Sequence, residues 1–285
     1  MTRSWRRSYG LLVALCFLPG LASAQTYSSF REAMAAGQTQ LRSRNFAGSQ
    51  APLEAALQLA KTDEQRLQAY EALQPAYRQL PDIDKMTEAY EFIVRHTDTT
   101  AGRSLSAAAY ASFVYQRGQG DKTIERYEAR LKQDRDDLPA LSALSALYSR
   151  TRRDKKEREN EVETRLKRLN TEMAVKKAET LEQQAEENKM ISAWLWKNAA
   201  IAWLEAEDPP RARKAAEKSL QAPPEARTEI LTMMWREGLG DVFLAAGDKP
   251  AATREYAEAV KVAPSDPLRK NVEKKLGALE TAEKK

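Results

Sequence analysis

The chain has 285 residues, 42% hydrophobic and 31% charged, with 46 Lys and Arg against 41 Asp and Glu. That balance excludes a long low-complexity chain and leaves one long helical domain or two ordinary ones. One cysteine and one histidine exclude a zinc site and leave acid–base catalysis almost without its commonest side chain.

Met1 to Ala24 read as a secretory signal: Arg3, Arg6 and Arg7 precede an apolar run from Leu11 to Leu21 and an Ala22-Ser23-Ala24 cleavage site. Cys16 follows Leu15, where a lipid-anchor motif needs a small residue, so a lipoprotein is disfavoured. Cleavage before Gln25 removes three arginines, lowers the net charge from +5 to about +2, and removes the only cysteine. A global charge argument for nucleic-acid binding fails, and none is expected. No apolar run reaches the roughly 18 residues of a membrane span. An export signal without disulfides or an N-x-Ser/Thr acceptor predicts the periplasm or cell envelope of a bacterium.

Ser29-Phe30-Arg31-Glu32 forms a capping box that opens the first helix. The first hairpin carries Ala36-Gly37 as a close-approach pair, a turn at Asn45-Phe46, and Ser49, Leu53 and Ala56 on its second helix, ending near Lys61. The second has Tyr70, Leu73 and Tyr77, a turn at Pro81-Asp82, then Met86, Tyr90 and Ile93; Pro75 inside its first helix predicts a kink. The third has Tyr110, Ala111 and Val114, a Gly118-Gln119-Gly120 turn, then Thr123, Tyr127 and Leu131. Its turn and the two before it, at Arg44, Pro81 and Gly118, are 37 residues apart. The fourth opens with Leu141, Leu144, Leu147 and Tyr148 and turns near Arg152. Its second helix is weak, because Glu157 and Glu161 stand where small and aromatic residues are expected.

From 154 to 190 the period breaks in a densely charged stretch with Val162, Leu166, Leu169, Met173 and Leu181 thinly spread. Lacking Gly and Pro, it predicts a helical junction, either one long helix or that helix plus another. The pattern resumes with Trp196, Ala199-Ala200 and Trp203, a turn at Asp208-Pro209, then Ala212, Ala216 and Ser219. The sixth hairpin is the clearest: Leu239, Gly240 and Phe243, a Gly247-Asp248 turn, then Ala252, Tyr256, Ala259 and Pro264. Leu268, Val272, Leu276 and Leu279 define one last amphipathic helix.

The L-G-x-x-F, A, Y, A, P order between 239 and 264 resembles the tetratricopeptide repeat, a helical hairpin of about 34 residues. The resemblance covers residues 29 to 280, weakest in the second half of the fourth unit. It implies an all-α fold: an α-solenoid, a right-handed superhelix of about six such hairpins with a C-terminal capping helix. The organisation expected is a signal peptide (1–24), N-terminal repeats (25–153), a charged helical junction (154–190), and C-terminal repeats with the cap (191–285).

No enzyme is expected, and no cofactor or metal. His96 has no nucleophile or carboxylate at a useful spacing; Asp134, Asp136 and Asp137 lack the glycine and glutamate of a calcium loop; Gly118-Gln119-Gly120 follows a helix rather than a strand. What the resemblance implies instead is a concave groove, lined by the first helix of each unit, that takes a peptide or partner helix. Mapped onto this chain, its lining is Met34, Gln38 and Arg42; Ser112 and Gln116; Trp194, Lys197 and Ile201; and Met234, Glu237 and Asp241. Lys197 has the residue type of a known carboxylate-clamping subgroup, but no matching Asn follows, so that clamp is not expected. The alternative contact is a basic patch at Arg150, Arg152, Arg153, Lys155, Lys156 and Arg158, directed at anionic lipid or wall polymer; interleaved acids favour a solvated helix face. An accessory domain or enzyme with an unrecognised site is a further alternative, and self-association through open stack ends another.

Overall fold

A computed structural model describes residues 26–79, 82–150, 156–222 and 228–282. The signal segment therefore lies outside the described residues, as do Pro81, Arg152, Arg153, Lys155 and Pro223-Pro224. Among the described residues there are thirteen α-helices and no strand. They are α1 (Phe30–Arg42), α2 (Phe46–Leu59), α3 (Asp63–Gln79), α4 (Ile83–His96), α5 (Thr100–Gln116), α6 (Gly120–Gln133), α7 (Leu138–Tyr148), α8 (Lys156–Glu187), α9 (Ser192–Glu205), α10 (Pro209–Gln221), α11 (Glu229–Ala245), α12 (Lys249–Lys261) and α13 (Asp266–Ala282). They form six packed pairs and one terminal helix, the all-helical array expected.

One turn recurs in four hairpins. Arg44, Gly118, Glu207 and Gly247 all have a positive φ of 58 to 82°. The next residue sends its N–H back over the turn to the first helix: Asn45 to the Gln40 carbonyl, Gln119 to Val114, Asp208 to Trp203 and Asp248 to Phe243, at 2.8–2.9 Å. This satisfies carbonyls that a helix end leaves open. That same residue starts the second helix, and Asn45, Asp208 and Asp248 each accept an N–H three residues on. Asp82 caps α4 in the same way, from the Lys85 N–H. A three-residue link thus ends one helix and begins its antiparallel neighbour.

Small residues then set the helix spacing. A Cβ at Gly240 would come within 2.5 Å of the Tyr256 ring, and one at Gly37 would overlap the Leu53 side chain. Both glycines lie eight residues before the cap of their second helix, and both partners eight after it. Pro75 sits inside α3 without ending it, and Pro52 inside α2; each removes one helical hydrogen bond.

The buried residues fall into two clusters. The first runs from Ala33 to Val162 and is rich in tyrosine, with Tyr90 and Tyr110 stacked at 4.3 Å and Tyr127 edge-on to both. The second runs from Ala174 to Leu279 and contains Trp196, Trp203 and Trp235. Helix α8 belongs to both. At 32 residues it is about 48 Å long. Val162, Leu166 and Leu169 pack on the first cluster; Ala174, Ala178, Leu181 and Ala185 pack on the second. The step from 169 to 174 is five residues where three or four would continue a single stripe. The buried face therefore turns part-way round the helix between the two cores, and Met173, next on the first stripe, is exposed. Between 156 and 187 there is one helix, which resolves the number left open by the sequence.

Candidate functional site

The first helix of each pair carries the residues expected to line a groove, and they fall into two sets. On α1, Met34 is only 7% exposed and belongs to the core, whereas Gln38 and Arg42 are exposed. Arg42 donates to the Thr39 hydroxyl of its own helix at 3.2 Å. On α5, Ser112 is half-buried, and exposed Gln116 donates to it at 3.5 Å. Nothing described joins these two short polar pairs into one surface.

The second set is on α9 and α11, which lie side by side. Trp194 is half-buried against the C-terminal core, and the Lys197 ammonium sits 3.8 Å from the centre of its ring. Lys197 is only 8% exposed, and its Cδ lies 3.3 Å from where a Cβ on Gly238 of α11 would stand. Its long apolar stem thus fills the seam between the helices while its charge rests on an aromatic face. Two expectations are corrected here. Met34 and Lys197 are buried in packing rather than open to a partner, because each lies where neighbouring helices close over it.

Ile201 and Met234 remain open, at 38% and 49% exposure. Glu237 and Asp241 on α11 are taken up by the terminal helix: Lys275 of α13 lies 2.8 Å from a carboxylate oxygen of each. Burial works against the charge of Lys275, but hydrogen bonds and attraction from Asp241 and Glu237 outweigh it and hold its pKa above the ordinary value. Asp241 also accepts the Tyr256 hydroxyl at 2.7 Å. Of the C-terminal set, Ile201 and Met234 are thus the open apolar members.

Ile230 and Leu231 at the start of α11 and Leu244 near its end are also exposed. The sequence reading passed over them because they fall outside the repeat signature. It also missed Arg103, buried on α5. A signal existed, since 103 lies four and seven residues before Ala107 and Tyr110, on the helix's buried face.

In the basic patch, Arg150, Lys156 and Arg158 are exposed, while Arg152, Arg153 and Lys155 lie outside the described residues. Arg158 pairs with Glu128 at 2.8 Å, which raises its pKa, and Arg150 donates to the Ala108 carbonyl at 3.4 Å. His96 stacks on Phe92 at 3.9 Å, with Nε2 3.6 Å from Asp63. Among the described residues no group of three or more His, Cys, Asp or Glu side chains could hold a metal, and no helix is long and apolar enough to cross a membrane.

The fold and this surface define an array of helical hairpins with exposed apolar side chains on two adjacent first helices. The chain matches no family model and no curated protein. Among solved structures it is similar to a tetratricopeptide repeat protein from Parabacteroides merdae ATCC 43184, at 13% identity over 88% of this chain and 84% of that one, with a TM-score of 0.28. A superposition that loose carries no argument, so the repeat reading rests on this chain's own turns and spacings.

Proposed function

We propose that the chain is a tetratricopeptide-like, non-enzymatic scaffold of the bacterial cell envelope that binds a partner protein through α9 and α11. The observation that supports this reading is the exposure of two apolar side chains, Ile201 on α9 and Met234 on the neighbouring α11. An amphipathic partner helix or extended peptide would set apolar residues over these side chains. Arg236 nearby is held by Glu255 at 2.5 Å, so orientation would come from shape more than from a free charge.

The test is a photoreactive residue at 234 in intact cells, with adducts identified by mass spectrometry. One recurrent envelope protein, lost when Ile201→Glu is added, is the expected result. Adducts absent at 234 but present at 156 would move the contact to the basic face of α8, toward lipid or wall polymer. Export is tested separately, by fractionation with and without residues 1–24.

A further inference from the structure

Among the described residues three buried side-chain polar atoms make no hydrogen bond: Thr97 Oγ1, Arg103 Nε and Ser142 Oγ. Arg103 and Ser142 lie where α5 meets α7, and Thr97 lies in the link before α5. Buried polar groups without partners are rare, and each calls for a ligand, an ion or water. Arg103 is 3% exposed. Its Nη1 donates to the Thr97 carbonyl at 2.7 Å; its Nη2 donates to Thr100 Oγ1 at 3.2 Å and Asn170 Oδ1 at 2.8 Å. All three acceptors are neutral. Glu205 and Asp98 oppose its charge only at a distance, and burial lowers its pKa against them. A guanidinium is not discharged in a protein, so a charge is held here without a contacting counter-ion.

Arg103 and Ser142 both line a cleft of about 240 Å³ between the three helices. Ser145 and Ser149 follow Ser142 at three and four residues along α7 and its cap, and line the same cleft. Arg150 lines it too, and among the described residues its side chain makes the long contact to the Ala108 carbonyl. Among the described residues Glu163 is the one acidic member of the lining. The cleft is smaller than the roughly 300–1,000 Å³ pockets that enclose drug-sized ligands, so it suits a small anion.

We propose that this cleft binds a small tetrahedral oxyanion, inorganic phosphate or a phosphate monoester. The donors come from α5 on one side and from Ser142, Ser145 and Arg150 on another, while the Ser149 hydroxyl donates to the Ala146 carbonyl of its own helix at 3.0 Å. A tetrahedral anion accepts from several directions at once, whereas a planar carboxylate would engage one guanidinium edge. Water would satisfy the hydroxyl but leave the charge unopposed. Glu163 adds selectivity: it accepts the P–O–H of a protonated phosphate and repels sulfate, which carries no proton at neutral pH. The site is independent of the partner surface on α9 and α11.

Calorimetric titration of the purified chain at low salt, with inorganic phosphate and then sulfate, tests this. Saturable one-to-one phosphate binding is expected, at least about tenfold tighter than sulfate. Arg150→Gln and Ser142→Ala should each weaken it about tenfold with an unchanged helical spectrum, and Glu163→Gln should erase the preference over sulfate. Arg103 is left intact, because it also ties α5 to α8 through Asn170. Vesicles of phosphatidic acid in phosphatidylcholine distinguish the source: capture sensitive to Arg150→Gln and Ser142→Ala assigns a lipid headgroup, and phosphate binding without capture assigns the free anion. No saturable phosphate uptake, or wild-type affinity in both variants, overturns the proposal and leaves water as the partner of these atoms.

Discussion

At Gly240 one missing methyl sets the distance between two helices. The Tyr256 ring fills the space a Cβ would need, and its hydroxyl is anchored on Asp241, so the ring cannot swing away without losing that hydrogen bond. Gly240→Ala is expected to destabilise the protein by about 1–3 kcal/mol in urea titration, as over-packing does elsewhere. The turn residue Arg44 gives the opposite sign. It holds φ at 59° with a side chain, a conformation glycine adopts freely. Arg44→Gly should raise stability by about 0.5–1 kcal/mol, the relief of left-handed strain exceeding the entropy gained by the unfolded chain.

Glu54 supplies the pH dependence at this scale. Burial would raise its pKa, but hydrogen bonds from Lys85 and Gln50, the charge of Lys85 and the Tyr77 hydroxyl together bring it below 4.5. A carboxylate lowered on folding stabilises the folded state above its unfolded pKa, and that contribution disappears as pH falls through the folded value. Between about pH 5 and pH 3, the wild type should lose more stability than Glu54→Gln. Equal acid limbs in thermal melts of the two proteins would show that the Lys85 pair contributes nothing.

At the scale of elements, α8 is the unusual member. A typical helix has one buried stripe, whereas this one has two, set at different angles and joined through exposed Met173. Charge–charge contacts hold it along its length: Arg168 to Asp136 at 2.6 Å, Lys167 to Glu207 at 2.9 Å, and Lys218 to Glu186 at 3.1 Å. Exposed pairs of this kind contribute little individually, so the buried alanines and Val162 set the attachment. Placing a carboxylate at Ala178 should cost about 3 kcal/mol or more, because the site is closed to solvent. Hydrogen exchange should then accelerate from α9 to α12 while α1 to α6 keep wild-type protection; uniform acceleration would mean that the two cores open together.

For the whole molecule, the distribution of aromatic residues makes that independence measurable. All four described tryptophans, Trp194, Trp196, Trp203 and Trp235, lie in or against the second core, whereas the tyrosine stack of Tyr90, Tyr110 and Tyr127 lies in the first. Tryptophan fluorescence therefore reports one half, and tyrosine near-ultraviolet dichroism chiefly the other. Stacked repeats unfold as coupled neighbours rather than as one indivisible unit. The two probes should give separate denaturant midpoints, and Ala178→Asp should move only the tryptophan one. Coincident midpoints would instead mean that α8 welds the halves into one cooperative unit.

The helices, turns and packing pairs of this protein were legible in the sequence because each is a local event. Asn45, Asp208 and Asp248 cap whatever helix follows them, Gly240 and Tyr256 are a fixed distance apart in one hairpin, and the period of apolar residues marks the buried face. The charge of 154–190 was equally plain, but its helix count was not, since two short apolar stripes out of phase look the same whether one helix twists its contacts or two helices meet. Tertiary structure alone decided which side chains stay open. Met34 and Lys197 are closed over by neighbouring helices, Glu237 and Asp241 are claimed by Lys275 from 34 or more residues away, and Ile201 and Met234 are left exposed. It alone brought Arg103 of the third unit beside Ser142 and Arg150 of the fourth, around one cleft. Local pattern fixes which face of a helix is apolar; only the packing of distant elements determines what covers that face, and therefore what remains for another molecule to touch.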